Sequence, residues 1–335
     1  MRLYGYGPHD HKSLPQTPSE VAAGGELRWH PLRQEWNIYA PHRQNRTFKP
    51  SIADDPLAPT LPGGVETEIP FENFELAIFE NKFTSLHRDA PHPSSNKILE
   101  KSQALGHCDV VVYGPEASGN IYTIGQSKRR LLAAAWIDRY QALLSDGHKF
   151  VIPFENRGDE VGVTLHHPHG QIYAFSIIPT VQMKAATAFE KGFNIRDILS
   201  GDGSAFIVNK IGDMVAFCPP FARFPFEVWI APLNHHPGPW SFSDTELEDY
   251  CFLLGDVTRR YDKFFERDTA SMMSLHASPL GYERSFHFTT QFYPILRDKN
   301  RVKYLASIEQ STGVFTVDVM PEFAAQQLRD IGDRV

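Results

Sequence analysis

The chain has 335 residues, 41% of them hydrophobic and 22% charged, an ordinary globular balance that supports a sizeable core and excludes a disordered chain. Forty acidic side chains against 33 basic ones give a formal charge of -7. That excludes general charge-driven binding of nucleic acid or anionic membrane, and leaves room only for a local basic pocket.

At about 150 residues per domain, the length predicts two domains or one elaborate one. The first residues, MRLYGYGPHDHKSLP, lack an apolar signal core, and no apolar run reaches the ~18 to 20 residues of a membrane span. Residues 1 to 26 read as a polar, turn-rich surface segment. Residues 54–64 (DDPLAPTLPGG) and 89–97 (DAPHPSSNK) read as loops, because Pro and Gly break any regular period. Cys108, Cys218 and Cys251 are odd in number and widely spaced, so they make neither a disulfide framework nor a thiolate zinc cluster. They predict a reducing compartment, and the chain reads as cytoplasmic.

The next elements occur twice. Residues 108–115 (CDVVVYGP) read as a buried strand and residues 127–145 as a helix. Leu132, Trp136, Ile137, Tyr140, Leu143 and Leu144 lie on one helix face, and Gly147 is the stop. KFVIPFENRG and LHHPHGQIYAF follow as strands. The order then recurs: residues 226–232 (FEVWIAP) read as a strand, and Ser243 with Glu246 forms a capping box. Leu247, Tyr250, Cys251, Leu254, Val257, Tyr261 and Phe264 make the second helical stripe, and MMSLHASP and SFHFTTQFYP close the copy. Asn156 and His276, His167 and His287, Gln171 and Gln291, and Tyr173 and Tyr293 share one offset, 120 residues. Two strand, helix, strand, strand units predict an α+β protein, a mostly antiparallel sheet flanked by helices, in halves of residues 1–195 and 196–335. A doubly wound sheet is disfavoured, because no Gly-rich strand-to-helix turn of the dinucleotide type appears.

The densest reactive cluster is His166, His167, Pro168, His169, Gly170 and Gln171. On an extended strand His167, His169 and Gln171 share a face. Pro168 removes a backbone donor, and Gly170 lets a ligand approach the main chain. A neutral imidazole with one nitrogen held as a donor is a nucleophile at pH 7 and can carry a phosphoryl group. Gln171 can donate to a phosphate oxygen. An arbitrary His-Pro-His is more often a surface or metal-binding cluster. The preceding FENRGDEVGVT, with Gly162 and Thr164, favours a site because it can supply backbone donors beside the same strand.

HPHGQ after FEN-x-G resembles the galactose-1-phosphate uridylyltransferase family, a transferase branch of the histidine-triad superfamily with a duplicated α+β unit. The resemblance runs from about Arg28 to Arg329. It includes WHPLRQEWNIYAPHRQNR (residues 29–46), FENKF (residues 79–83) and VKYLASIE (residues 302–309). The resemblance implies a double displacement. His169 attacks the α-phosphorus of a UDP-hexose, releases hexose 1-phosphate, and passes the uridylyl group to a second hexose 1-phosphate. It implies that His167 orients its neighbour and that Gln171 holds phosphoryl oxygens. Arg43 and Arg46 would reach phosphates from a partner subunit, which implies a homodimer. Phe79, Asn81 and Phe83 would hold base and ribose, Asn156, Gly162 and Thr164 the phosphates, and Lys303 and Glu309 the hexose. Core packing is an equal reading of Phe79 and Phe83, and a turn cap is the competing reading of Asn156. A related nucleotide-sugar transferase or phosphorylase, or a nucleotide binder without catalysis, is the alternative.

The chain departs from the family at its metals. Where relatives carry a zinc-binding Cys-x-x-Cys, this chain reads Asp55-Pro56-Leu57-Ala58, and a further ligand position falls near Ala117, leaving His167. One imidazole and one carboxylate do not close a four-ligand zinc shell. At the second metal position His276 remains, while Ala185, Thr289 and Gln291 take the other places. The expectation is therefore no metal cofactor, with Asp55 accepting a hydrogen bond from His167 in place of coordination; a turn opened with Pro56 is the plainer reading of Asp55. The polar residue that follows the glutamate in relatives is also missing: Gln310 or Ser311 could serve only in a reshaped loop. His235, His236 and His287, without a carboxylate or cysteine at metal-ligand spacing, read as structural.

Overall fold

The computed structural model of the chain describes residues 1–6, 12–13, 25–45, 50–51, 54–95 and 97–332. Its strands begin with β1 (Arg2–Tyr4), β2 (Lys12–Ser13), β3 (Glu26–His30), β4 (Glu35–Tyr39), β5 (Leu76–Glu80), β6 (Lys101–Gln103) and β7 (Gly106–Val112). Helix α1 (Gly125–Ser145), β8 (Phe150–Arg157) and β9 (His169–Phe175) complete the first repeat. After α2 (Thr180–Glu190) and α3 (Ile195–Leu199), the second repeat runs β10 (Ile207–Ile211), β11 (Met214–Phe217), β12 (Val228–Pro232), α4 (Asp244–Phe265), β13 (Ser271–His276) and β14 (Thr289–Pro294). The chain ends with β15 (Leu296–Asp298), β16 (Arg301–Val302), α5 (Ser307–Thr312) and α6 (Pro321–Gly332).

Both repeats share one antiparallel sheet, ordered β10, β11, β12, β14, β13, β8, β9, β7, β5, β1, β2. The order is the same read outward in either direction from the join between β13 and β8. At that join Phe154 pairs with Ser274, two positions related by the 120-residue offset, so the repeats meet about a pseudo-two-fold axis. Helices α1 and α4 lie side by side on one face of the sheet. Their stripes, Leu132, Trp136 and Tyr140 against Tyr250, Leu254, Val257 and Tyr261, close a core over Val151, Ile172, Ile230 and Leu275. Buried hydroxyls in that core are paired: Tyr140 Oη donates to the Leu275 carbonyl at 2.9 Å and Tyr261 Oη to the Phe226 carbonyl at 2.7 Å. That pairing removes the penalty of burying them. Helix α4 begins at the Ser243–Glu246 capping box. The other face of β7 and β9 carries the small sheet β4, β3, β6, packed through Leu27, Leu86, Ala104 and Cys108.

Three local readings change. Residues 2–4 are not a surface segment but a strand paired with β5; Tyr4 is buried and donates to Asp138 at 2.6 Å. The strand read over residues 165–175 starts only at His169, since Pro168 has no N–H to continue the ladder. Phe226 stands outside β12 with φ 58°. The three cysteines are buried and unpaired. Among the described residues no helix is long and apolar enough to cross a membrane.

Candidate active site

Alternation along β9 separates two environments. Gly170, Ile172 and Ala174 are buried, the last two in the core under α1, while His169, Gln171, Tyr173 and Phe175 are half-buried on the opposite face. Gly170 is required by its surroundings. A Cβ there would meet Tyr113 Oη at 2.7 Å and the Phe154 carbonyl at 3.0 Å. Tyr113 Oη donates to Glu155 at 2.6 Å, and burial pushes both groups' pKa values up. This buried hydrogen-bonded pair floors the strand.

The opposite face opens into a cavity of about 120 Å³. Arg43, Phe79, Asn81, Phe83, Thr164, His169 and Gln171 all line it, so seven residues drawn from four separate segments converge. His169 Nδ1 lies 2.7 Å from the His167 carbonyl, which can only accept, so this nitrogen carries the proton. Nε2 has no hydrogen-bond partner among the described residues. Burial lowers the His169 pKa, opposed by that same hydrogen bond and by Asp55. The ring is neutral at pH 7, with its lone pair on Nε2.

Phe79 is both core and wall: it is 5% exposed, packs with Leu57 and Val112, and lines the cavity. Asn81 is fixed by its N–H to the Cys108 carbonyl at 2.8 Å and by its side-chain oxygen, which accepts from the Phe83 N–H at 2.8 Å. Its amide nitrogen reaches Gln171 Oε1 at 3.4 Å. Arg43 stands on a 3-10 turn (Pro41–Asn45) held by His42 Nε2 on the Thr84 carbonyl at 2.7 Å. Its guanidinium donates to the Phe83 carbonyl and approaches Tyr173 Oη at 3.4 Å. The chain thus places Arg43 in the same cavity as its own His169. Arg46 lies outside the described residues. Glu68 and Lys82 also line the cavity, 3.6 Å apart, and sequence reasoning missed both. Lys82 sits inside FENKF, but Glu68 follows a loop with no period to mark it.

Other expected residues divide differently. Asn156 lines a second cavity of about 90 Å³, with Arg157, His166, His167 and Pro168, and His169 borders both. Gly162 is exposed, lines neither, and closes a 3-10 turn at φ 76° with its N–H on the Asp159 carbonyl. The reading of Asn156, Gly162 and Thr164 as one phosphate loop is therefore not what the fold brings together. Lys303 and Glu309 bond each other at 2.8 Å with side chains 3% and 1% exposed. Lys303 pulls the Glu309 pKa down to about 2. Neither lines either cavity, because each satisfies the other's charge away from solvent.

His167 does not share the face of His169 and Gln171 as a continuous strand would require. It sits on a bend before β9 with its side chain 0% exposed. Nδ1 is 2.7 Å from Asp55 Oδ2 and Nε2 is 2.8 Å from the Gly114 carbonyl. Asp55 Oδ1 accepts from the Leu57 N–H at 3.0 Å. Burial raises the Asp55 pKa, but the hydrogen bonds from His167 and Leu57 outweigh it and hold the carboxyl below its usual range. This donor set does not fit a zinc ion. Two ligands of one tetrahedral zinc stand about 3.3 Å apart, and the imidazole and carboxylate are already in direct contact. The second metal position fits no better. His276 meets Ser274 at 2.8 Å and Gln182 at 3.2 Å, so the α2 side chain that reaches it is Gln182, three residues ahead of the expected Ala185. Amides and hydroxyls replace charged ligands there. Among the described residues no three His, Cys, Asp or Glu side chains cluster for a metal. Among the described residues His235 meets no carboxylate; its Nε2 lies 3.1 Å from the Phe286 carbonyl. His236, by contrast, does have one: Glu246 at 3.1 Å, the same residue that caps α4.

The galactose-1-phosphate uridyl transferase N-terminal domain family matches residues 16–179. A galactose-1-phosphate uridylyltransferase of Thermotoga maritima is 35% identical over 318 residues, 91% of this chain and 98% of the relative. The chain belongs to the galactose-1-phosphate uridylyltransferase family. The Haemophilus influenzae member is 27% identical, covering 91% and 94%. Members of this family are enzymes, and their names support uridylyl transfer here. A solved uridylyltransferase superposes with TM-score 0.82 at 23% identity, covering 92% of this chain and 99% of the other. An Arabidopsis thaliana ADP-glucose phosphorylase with bound ADP-glucose superposes at 0.67 and 22% identity, covering 92% and 98%. Those two likenesses show the fold.

Proposed function

We propose that the chain moves a UMP group between a UDP-hexose and a hexose 1-phosphate through a uridylyl-His169 intermediate. The observation that carries this reading is the His169 ring, proton-bearing at Nδ1, open at Nε2, and lining one cavity with Arg43 and Gln171. The Nε2 lone pair forms a bond to the α-phosphorus. The α-phosphorus to bridging-oxygen bond breaks, and hexose 1-phosphate leaves with that electron pair. Positive charge that develops on the ring is shared through Nδ1–H with the His167 carbonyl. A phosphate oxygen of the second hexose 1-phosphate then displaces His169 and restores the neutral ring. Arg43 and Gln171 offer donors to the phosphoryl oxygens, where charge builds during each displacement. Phe79, Val110 and Leu165 offer an apolar slot suited to a pyrimidine. On this reading residues 1–195 carry the reaction and residues 196–335 support it, no metal takes part, and the three buried thiols suit a reducing cytoplasm.

A homodimer fits the exposed apolar residues Leu32, Tyr304, Ile308 and Val314, since exposed apolar clusters mark association surfaces. Arg33 joins the β3–β4 turn to α5 through the Gln310 carbonyl at 3.1 Å. The inward-turned Lys303 and Glu309 favour one second reading, in which the acceptor is not a hexose 1-phosphate but another phosphate. Protein incubated with UDP-glucose labelled at the α-phosphate should acquire acid-labile label. No label sinks the reading, and the acceptor that discharges the label separates the two versions.

A further inference from the structure

We propose that the Asp55 carboxylate and the Gly114 carbonyl hold the His167 ring where relatives use a metal ion, and that this hold aims His169 through the His167 backbone. The inference rests on His169 as the nucleophile, and Asp55 acts as a positioning residue that touches no substrate. Three contacts make a continuous path: Asp55 Oδ2 to His167 Nδ1 at 2.7 Å, His167 Nε2 to the Gly114 carbonyl at 2.8 Å, and the His167 carbonyl to His169 Nδ1 at 2.7 Å. A ring pinned at both nitrogens cannot rotate, so its own carbonyl is fixed, and that carbonyl sets the direction of Nε2 on His169. The far end of the path is also rigid. Leu57, whose N–H holds the other Asp55 oxygen, is buried in a cluster with Phe79 and Val112.

The second repeat supplies an internal control. His287, the counterpart of His167, keeps the carbonyl hold, with Nε2 2.7 Å from the Pro232 carbonyl at the end of the equivalent strand. Its ring otherwise meets Phe189 and His235 and, among the described residues, no carboxylate. Two residues on stands Thr289, which cannot act as an imidazole nucleophile. The carbonyl hold is common to the two repeats, whereas, among the described residues, a carboxylate meets His167 and none meets its counterpart His287. Outer residues that orient a catalytic or ligating histidine change its performance by about 10- to 100-fold when removed.

The test uses the intact protein, with Asp55→Ala and Asp55→Asn. Asp55→Ala should lower kcat for sugar-nucleotide exchange about 10- to 100-fold with the UDP-hexose KM within about twofold. Asp55→Asn, whose amide can still bond Nδ1, should recover most of the loss. An unchanged kcat in Asp55→Ala, or an equal loss in both variants, overturns the proposal. Nitrogen-15 NMR of the histidine rings should show a hydrogen-bonded Nδ1 on His167 that Asp55→Ala removes. Its absence from the parent protein overturns the hold without any reference to turnover. If the parent protein takes up no uridylyl label yet shows that ring signal, the functional reading fails and the hold stands. Stoichiometric zinc in the purified protein, lost on Asp55→Ala, overturns it.

Discussion

Strands β9 and β14 occupy equivalent places in the two repeats, and they differ in what covers their open face. On β9 the face opens into the cavity: among the described residues the Gln171 side chain bonds Asn81, at 3.4 Å, and Tyr173 meets Arg43. On β14 the side chains of the same face bond and pack with one another. Gln291 is taken up by Thr289, at 2.9 Å, and by the Tyr293 hydroxyl, while Phe224 lies 5.6 Å from the Tyr293 ring and packs on Phe315. Strands in equivalent sheet positions thus carry a cavity-lining surface in one copy and one bonded to its own neighbours in the other. A duplicated scaffold does not duplicate chemistry. What decides is whether side-chain donors are left unspent above the strand.

The sharpest way to break this comparison is to remove the third side chain of each histidine segment. His169→Ala should abolish exchange by at least about 10⁴-fold, while Thr289→Ala should leave kcat/KM within about twofold. Comparable losses from both in a steady-state assay would mean that the second copy shares in catalysis.

The strand floor gives a smaller contrast. Position 170 is Gly beneath Tyr113, whereas the counterpart, Thr290, bonds the Tyr250 hydroxyl at 2.7 Å. Gly170→Ala should cost about 1–3 kcal/mol of stability through overpacking, read as a lower denaturation midpoint at unchanged slope. A neutral result would show that Tyr113 and Glu155 can move aside.

The smallest expected effect concerns acid. Burial pushes His276 and His287 down to about 4 from 6.5, so both are neutral in the fold. The unfolded chain takes up protons first as pH drops below 6.5, and stability should therefore fall between pH 6.5 and 4 and level off beneath that. His287→Gln should flatten part of this slope in a series of thermal melts. An unaltered slope would mean that His287 is solvated enough to titrate normally in the folded state.

Much of this was legible in the chain itself. The 120-residue offset, the two helical stripes and the Ser243–Glu246 cap are local regularities. They survive folding because each repeat needs its helix to bury one sheet face. Cavity residues Arg43, Phe79, Asn81, Phe83, Thr164, His169 and Gln171 were all readable by their motifs. Lys303 and Glu309 pair with each other and line neither cavity of this chain, because opposite charges six residues apart neutralise each other where burial makes that cheaper than facing a cavity. Glu68 and Gln182 were missed because nothing local marks a side chain whose importance comes from a neighbour distant in sequence, whereas Lys82 stood inside the FENKF motif and was passed over.

The sequence by itself determined the repeat and the antiparallel class, since these follow from period and turn chemistry, and its motif resemblance pointed to His169 as the nucleophile proposed here. Only the tertiary structure decided which nitrogen of His169 is open, that Arg43 lines the cavity of its own chain, and that Asp55 and His167 lie within hydrogen-bonding distance across 112 residues. Such contacts depend on how separate loops are carried to one end of the sheet. No window of sequence contains that information, because it is set by packing of the whole core.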